Sequence, residues 1–208
     1  MKISVVGAGR IGSVLARLLV DAGNQVAVAN ARGPESLAQL VTELGRLASA
    51  VSTADALGQS DVVVLMVPFG QVKDLFPVAL TDGKILVDAT NAFPPKGQPA
   101  DAPTSSEQLA AWYPGARVVK ALNTMNFAVL GQTGGRQGAE RLAHYVAGDD
   151  QAAKDTVAGL IDSLGFAVVD TGSLRAGSLR QQPGGPLFNV QLTEVQARAA
   201  LQQVATAG

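Results

Sequence analysis

The feature that most constrains this chain lies within its first dozen residues. Lys2-Ile3-Ser4-Val5-Val6 is short, apolar and rich in β-branched residues, the composition of a buried strand. It stops at Gly7-Ala8-Gly9-Arg10-Ile11-Gly12, a G-x-G-x-x-G. Residues 13–22 follow with Leu15, Leu18 and Leu19 at helical spacing, and Gly23 is a natural stop. A glycine motif placed between a strand and a helix is the context in which a dinucleotide binds. Gly7 serves the tight turn, Gly9 leaves room for a pyrophosphate, and Gly12 lets the helix pack close to the strand. Arg10 and Ile11 open the helix, whose free N–H groups and partial positive charge meet the phosphates. The bland alternative is a glycine-rich turn with no ligand. The ordered run of strand, motif, helix and second strand speaks against it.

Residues 25–29 alternate around Val26 and Val28 and form that second strand, which ends at Asn30-Ala31-Arg32-Gly33-Pro34. In a dinucleotide fold this turn reads the adenosine ribose, and an NAD site carries Asp or Glu there to bind the 2′-OH. Here the turn has Asn30 and then Arg32. A carboxylate would repel a 2′-phosphate, whereas an arginine grips it with a bidentate fork. Pro34 suits a first helical turn, and Ser36 is near enough to offer a hydroxyl. Glu35 runs against this reading, but its place in the first turn of a helix points it to solvent. The expected cofactor is therefore NADP(H), held by Asn30, Ala31, Arg32 and Ser36. An ordinary surface arginine is the alternative for Arg32.

The rest of the chain alternates strand and helix. Residues 36–47 carry one helical apolar stripe, 50–52 a short third strand, and 53–57 a brief capped helix. Residues 61–67 are continuously apolar, as in a central parallel strand covered on both faces, and end at Pro68-Phe69-Gly70. Residues 71–80 read as helix with a break near Pro77, 84–88 as the fifth strand, and 93–103 as a loop. A capped helix begins at Ser105, and 116–122 is the sixth strand, followed by Asn123. Residues 127–141 contain Gly131, Gly134, Gly135 and Gly138 and read as a region with a mobile loop beside the crevice. Then come a strand at 142–147, a helix at 151–164, a strand at 166–170, a loop at 171–186, and an amphipathic stretch at 188–204 striped by Leu192, Val195 and Leu201. This pattern predicts an α/β fold, a doubly wound parallel sheet of the Rossmann kind. Residues 1–122 would form the dinucleotide core and 123–208 a small α/β extension of the same sheet with a terminal helix. Ligands bind beyond the carboxyl ends of such strands, so Val67, Pro68, Phe69, Asn91 and Asn123 are expected at the nicotinamide end. Phe69 is equally well placed as a core aromatic.

Several chemistries are excluded or left without residues. Net charge is −1, so there is no electrostatic case for nucleic acid or an anionic membrane. The chain has no cysteine and a single histidine, His144, which removes thiolate chemistry and any cysteine or histidine metal cluster. The opening apolar run is too short for a signal-peptide core, and no run approaches a membrane span. A cytoplasmic protein is expected. His144 lies inside a predicted strand, where a structural role is the ordinary one, and Tyr145 takes the opposite face. Lys120 is expected to hold backbone carbonyls or Asp88. No acid–base set emerges, so no catalytic residue and no metal ligand is assigned. The lack of such a set favours simple hydride transfer, with the cofactors supplying the reactivity.

Six patches taken together resemble the NADPH-dependent deazaflavin (coenzyme F-420) reductase family. They are Gly7-x-Gly9-x-x-Gly12, residues 30–36, Val67-Pro68-Phe69, Asp88-Ala89-Thr90-Asn91, residues 118–124 and Ala147-Gly148-Asp149-Asp150. The cytosolic domain of the six-transmembrane metalloreductases is similar too. Pyrroline-carboxylate reductases share only the nucleotide half, since this chain lacks their long helical domain. The family turn often has Ser where this chain has Ala31, and the tail from Thr171 departs from the family pattern. The resemblance implies an NADP(H)-dependent oxidoreductase whose small-molecule electron acceptor is a flavin or deazaflavin. The alternative is an NADP(H)-binding module, a sensor or an electron-transfer component, without turnover of its own. The amphipathic C-terminal stretch either covers the protein's own sheet or pairs two copies, and a homodimer is the expectation.

Overall fold

In the computed structural model the described residues are 1–93, 99 and 101–206, with backbone alone for 204–206. Most of the loop expected at 93–103 lies outside them. The chain runs β1 (Lys2–Val6), α1 (Arg10–Asp21), β2 (Gln25–Ala29), α2 (Ala38–Leu44), β3 (Ala48–Ala50), α3 (Thr53–Gln59) and β4 (Val62–Leu65). It continues with β5 (Ile85–Asp88), α4 (Ser105–Trp112), β6 (Arg117–Ala121), α5 (Phe127–Thr133), β7 (Ala143–Ala147), α6 (Gln151–Ser163), β8 (Ala167–Asp170), α7 (Leu174–Gln181) and α8 (Glu194–Thr206).

The strands form one 8-stranded sheet in the order β3-β2-β1-β4-β5-β6-β7-β8. All neighbours are parallel except β6 and β7, which run antiparallel. Strand residues alternate between two cores: Val62 and Val64 enter one, Val63 and Leu65 the other. That is why β4 reads as an unbroken apolar run. A smaller third core under α8 holds Tyr145, Val169, Leu187 and Ala197. Among the described residues no helix is long and apolar enough to cross a membrane.

Four segments differ from the sequence expectation. Residues 71–80 form no α-helix, only the short 3-10 turns Phe69–Gln71 and Val78–Leu80. Pro77 cannot donate, and the buried Tyr113 hydroxyl takes backbone groups a helix would need. It donates to the Val72 carbonyl at 2.6 Å and accepts from the Phe76 N–H at 3.3 Å. The glycine-rich stretch after Asn126 begins with α5, because the Asn126 side chain accepts the N–H groups of Ala128 and Val129. The loop expected at 171–186 contains α7, capped by Ser173. The buried face of α7 is Leu174, Gly177, Ser178 and Gln181: helical spacing, but scarcely an apolar residue. Finally, α8 starts only at Glu194. Its phase turns Val195 outward, 77% exposed, and buries Ala197 instead. Leu192 and Leu201 keep their expected place against the third core.

Candidate functional site

The carboxyl ends of β1, β2, β4, β5 and β6 meet along one edge of the sheet. The glycines of the opening motif answer to different demands there. Gly7 has φ +112°, and a Cβ on it would lie 2.3 Å from the Met66 carbonyl oxygen at the end of β4. A Cβ on Gly12 would lie 1.8 Å from the Gly7 oxygen. The fold itself requires both. Gly9 is otherwise: its φ is −80°, open to any residue, and a Cβ on it meets nothing within 4 Å. It is exposed, and as the residue before α1 it leaves that helix with no side-chain cap and no acid in its first turn. The space above Gly9 and the uncapped N–H groups suit an anion that approaches the backbone closely. Ile11 is half-buried against the main core, while Arg10 is exposed. The Arg10 guanidinium lies over the Phe127 ring, 5.6 Å from its centre.

At the end of β2 the turn is tied by its own side chains. Asn30 Oδ1 accepts the Arg32 N–H at 2.9 Å, and Asn30 Nδ2 donates to Ser36 Oγ at 3.0 Å. The Ser36 hydroxyl in turn lies 2.7 Å from the Gly33 carbonyl. Asn30 and Ser36 are therefore brought together, with their polar groups largely spent on the turn. Ala31, Arg32 and Glu35 are exposed, and no partner takes the Arg32 guanidinium among the described residues.

At the ends of β4 to β6 the expected residues divide. Pro68 is exposed and Val67 half-buried. Phe69 is stacked on Trp112 at 5.3 Å, which gives it a place in the core cluster. Asn91 and Asn123 are bonded reciprocally: Asn91 Nδ2 donates to the Asn123 carbonyl at 3.0 Å and Asn123 Nδ2 to Asn91 Oδ1 at 3.1 Å. Asn123 also donates to the Gln181 carbonyl at 2.8 Å and is only 4% exposed, so it is a tie between β5, β6 and α7. The residue before it, Leu122, has φ +61°, a left-handed conformation that this network holds in place.

Beneath this edge Asp88 and Lys120 form a fully buried ion pair at 3.1 Å. Asp88 also accepts from the Ser106 hydroxyl at 2.6 Å and the Thr90 hydroxyl at 2.6 Å, and Lys120 donates to the Thr90 carbonyl at 2.6 Å. Burial alone would raise the Asp88 pKa, but Lys120, Ser106 and Thr90 together hold it below the usual carboxylate range. Burial lowers that of Lys120, against the pull of Asp88. The pair fixes Thr90 and Asn91 and has no face open to a ligand. His144 is completely buried with its ring edge-on to Phe166 at 4.5 Å. Neither ring nitrogen has a partner, and burial pushes its pKa down to about 4. Burial likewise pushes Tyr145 up to about 12. Both are sealed in the interior.

Sequence reasoning missed the aromatics of this edge. Phe93, 75% exposed, follows the Asn91 segment and meets Phe188 edge-on at 6.5 Å. Phe188 is delivered by the tail, where the Asn189 N–H donates to the Thr124 carbonyl at 2.9 Å. Position two residues after Asn91 could have flagged Phe93. Nothing local could have flagged Phe188 or Phe127.

The family model of the coenzyme F420-dependent NADP oxidoreductases matches residues 2–92. Among solved structures, a hypothetical protein from Sinorhizobium meliloti is 39% identical, covering 93% of this chain and 96% of its own, with a TM-score of 0.82. A proposed F420-dependent NADP-reductase from Arthrobacter sp. FB24 is 31% identical, covering 83% of this chain and 85% of its own, with a TM-score of 0.69. A reductive aminase from Aspergillus terreus, bound to NADPH and ethyl levulinate, shares the fold at 20% identity. It covers 85% of this chain and 56% of its own, with a TM-score of 0.64.

Proposed function

Because this chain belongs to the coenzyme F420-dependent NADP oxidoreductases, we propose that it passes hydride between NADPH and a flat, flavin-like or deazaflavin acceptor. The observation that carries the choice of acceptor is the chemistry of the β5 and β6 ends. Among the described residues, the titratable groups that end these strands, Asp88 and Lys120, are sealed and paired with each other. What reaches the surface is the half-buried Asn91, its amide paired with Asn123, and the exposed aromatic ring of Phe93. Reduction of a carbonyl or imine calls for a proton donor beside the reacting carbon. A flavin-like ring takes its proton from water and asks only for orientation.

The fit to the nucleotide is supported by Gly9, whose missing side chain nothing in the protein requires. The N–H groups of Arg10, Ile11 and Gly12 would hold the pyrophosphate, and Arg32 the 2′-phosphate. Asn30 would act by shaping the turn that presents Arg32. Val67, Pro68 and Asn91 would flank the nicotinamide, which supplies the hydride when bound. Phe93 and Phe188 would shield the acceptor face from water and restrict its orientation.

Mixing the purified protein with NADPH and a panel of flavins, deazaflavin and ferric chelates tests this reading through loss of the nicotinamide absorbance. Oxidation with a flavin-like ring is expected. Tight NADPH binding with no oxidation by any acceptor would instead mark a sensor or electron-transfer module. Cofactor choice is tested separately: Arg32→Ala is expected to weaken NADPH binding roughly ten- to a hundredfold and leave NADH unchanged.

A further inference from the structure

We propose that Phe127 is a positioning residue for Arg10, and that α5 thereby belongs to the pyrophosphate site; this rests on the nucleotide reading above. Arg10 occupies the first position of α1, where a cation opposes the helix dipole. No acidic residue in that turn compensates it, and its guanidinium has no carboxylate partner among the described residues. The guanidinium instead lies over the ring of Phe127. A cation set against the helix that carries it makes physical sense when an anion arrives between the N–H groups and the guanidinium.

Phe127 reaches Arg10 because α1 and α5 pack against each other. Arg10, Val14 and Leu18 recur at helical spacing on one face of α1. Phe127, Gly131 and Gly134 answer them along α5 and its end. A Cβ on Gly131 would lie 3.4 Å from Val14 Cγ1, and one on Gly134 would lie 2.6 Å from Leu18 Cδ2. The pairs ascend together, so the two helices run side by side and their first residues meet. Phe127 is still 40% exposed, a large apolar ring left at the surface with a guanidinium above it. The ring holds the guanidinium by cation–π attraction and limits its rotamers before the nucleotide binds.

The pyrophosphate is common to NADPH and NADH, which separates this role from that of Arg32. Phe127→Ala is expected to weaken both nucleotides by the same factor, roughly two- to fivefold. Phe127→Leu, which keeps the bulk and loses the ring face, should lose as much, and Phe127→Tyr should retain native affinity. In an Arg10→Ala background, Phe127→Ala should add nothing. Titrating both nucleotides against these variants by fluorescence gives the cycle, with melting temperatures as the folding control. Additive losses in the double variant, full affinity in Phe127→Leu, or a loss confined to NADPH would each overturn the proposal. A native protein that binds neither nucleotide would overturn the functional reading and this inference with it. Native binding with additive losses overturns this inference alone.

Discussion

Two stretches of this chain are dense in glycine, one at Gly7, Gly9 and Gly12, the other at Gly131, Gly134, Gly135 and Gly138. The first sits between an apolar strand and an apolar helix. The second follows a helix cap in a stretch of mixed polarity. In the first, Gly7 and Gly12 are demanded by backbone pressed against backbone, and Gly9 is left over for a ligand. In the second, Gly134 faces only the far end of the Leu18 side chain, and Gly131 meets no overlap at all. Gly135 and Gly138 meet nothing within 4 Å but hold φ of +77° and +72°, so glycine here marks either a close approach or a left-handed turn.

The largest effect is expected at Gly12. Gly12→Ala places a methyl 1.8 Å from the Gly7 carbonyl oxygen, and neither backbone can yield without parting α1 from β1. A loss of more than about 3 kcal/mol in urea unfolding is expected, at the severe end of single substitutions. A near-native midpoint would mean that the turn relaxes and that the fold does not require Gly12. Gly9→Val should act in the opposite way. Its side chain points into open space, so the melting temperature should stay within a few degrees of native. NADPH affinity should fall on the order of a hundredfold, since a branched side chain occupies the place of the pyrophosphate. Unchanged affinity would reduce the motif to a turn.

The motif, the strands around it and the Arg32 turn could be read because their signals are local: β-branched runs, glycine spacing, the absence of a carboxylate at Asn30. The separate placing of Asn123 could not. It is set by Asn91, 32 positions away in sequence, and by Gln181, 58 positions away. Helix α7 was illegible because it packs through Gly177 and Ser178 instead of an apolar stripe. A Cβ on Gly177 would lie 2.1 Å from that of Ala147, so β7 approaches too closely for larger residues. Residues 71–80 misled in the other direction: their pattern is helical, and a distant hydroxyl, that of Tyr113, overrides it.

Away from the glycines, the strands bury titratable groups in two ways, and this yields a pH prediction. Asp88 and Lys120 are buried with partners on every side, whereas His144 is buried with none. Burial holds the His144 pKa at about 4, against 6.5 for the unperturbed group. Between these values the unfolded chain binds the proton and the folded one does not. The penalty is therefore absent above pH 6.5 and grows as pH falls toward about 4. It should reach on the order of 3 kcal/mol at the acid end. His144→Leu should unfold with a flatter pH dependence than the native protein over this window. Parallel curves from urea titrations at pH 7 and pH 4.5 would show that the imidazole finds water or a partner inside the fold.

The smallest expected effect tests the second glycine stretch most directly. Gly131 lies within α5, where glycine costs about 0.5–1 kcal/mol relative to alanine. A methyl there would lie 3.4 Å from Val14 Cγ1, an ordinary van der Waals contact, with nothing else nearby but the same side chain. Gly131→Ala should therefore stabilise the protein by about 0.5–1 kcal/mol, partly by restricting the unfolded chain. For a chain of this size that corresponds to a rise of roughly 1–4 °C in melting temperature. NADPH affinity should not change, because Phe127 keeps its place under Arg10. Gly134→Ala, three residues on, should go the other way, since its methyl overlaps Leu18 Cδ2 at 2.6 Å and that side chain must turn aside. Opposite signs from two neighbouring glycines would confirm that α5 closes on α1 at its end and merely touches it at its middle. Equal destabilisation at both would mean that the helices are tight along their whole length, and that the second stretch is as strictly required as the first.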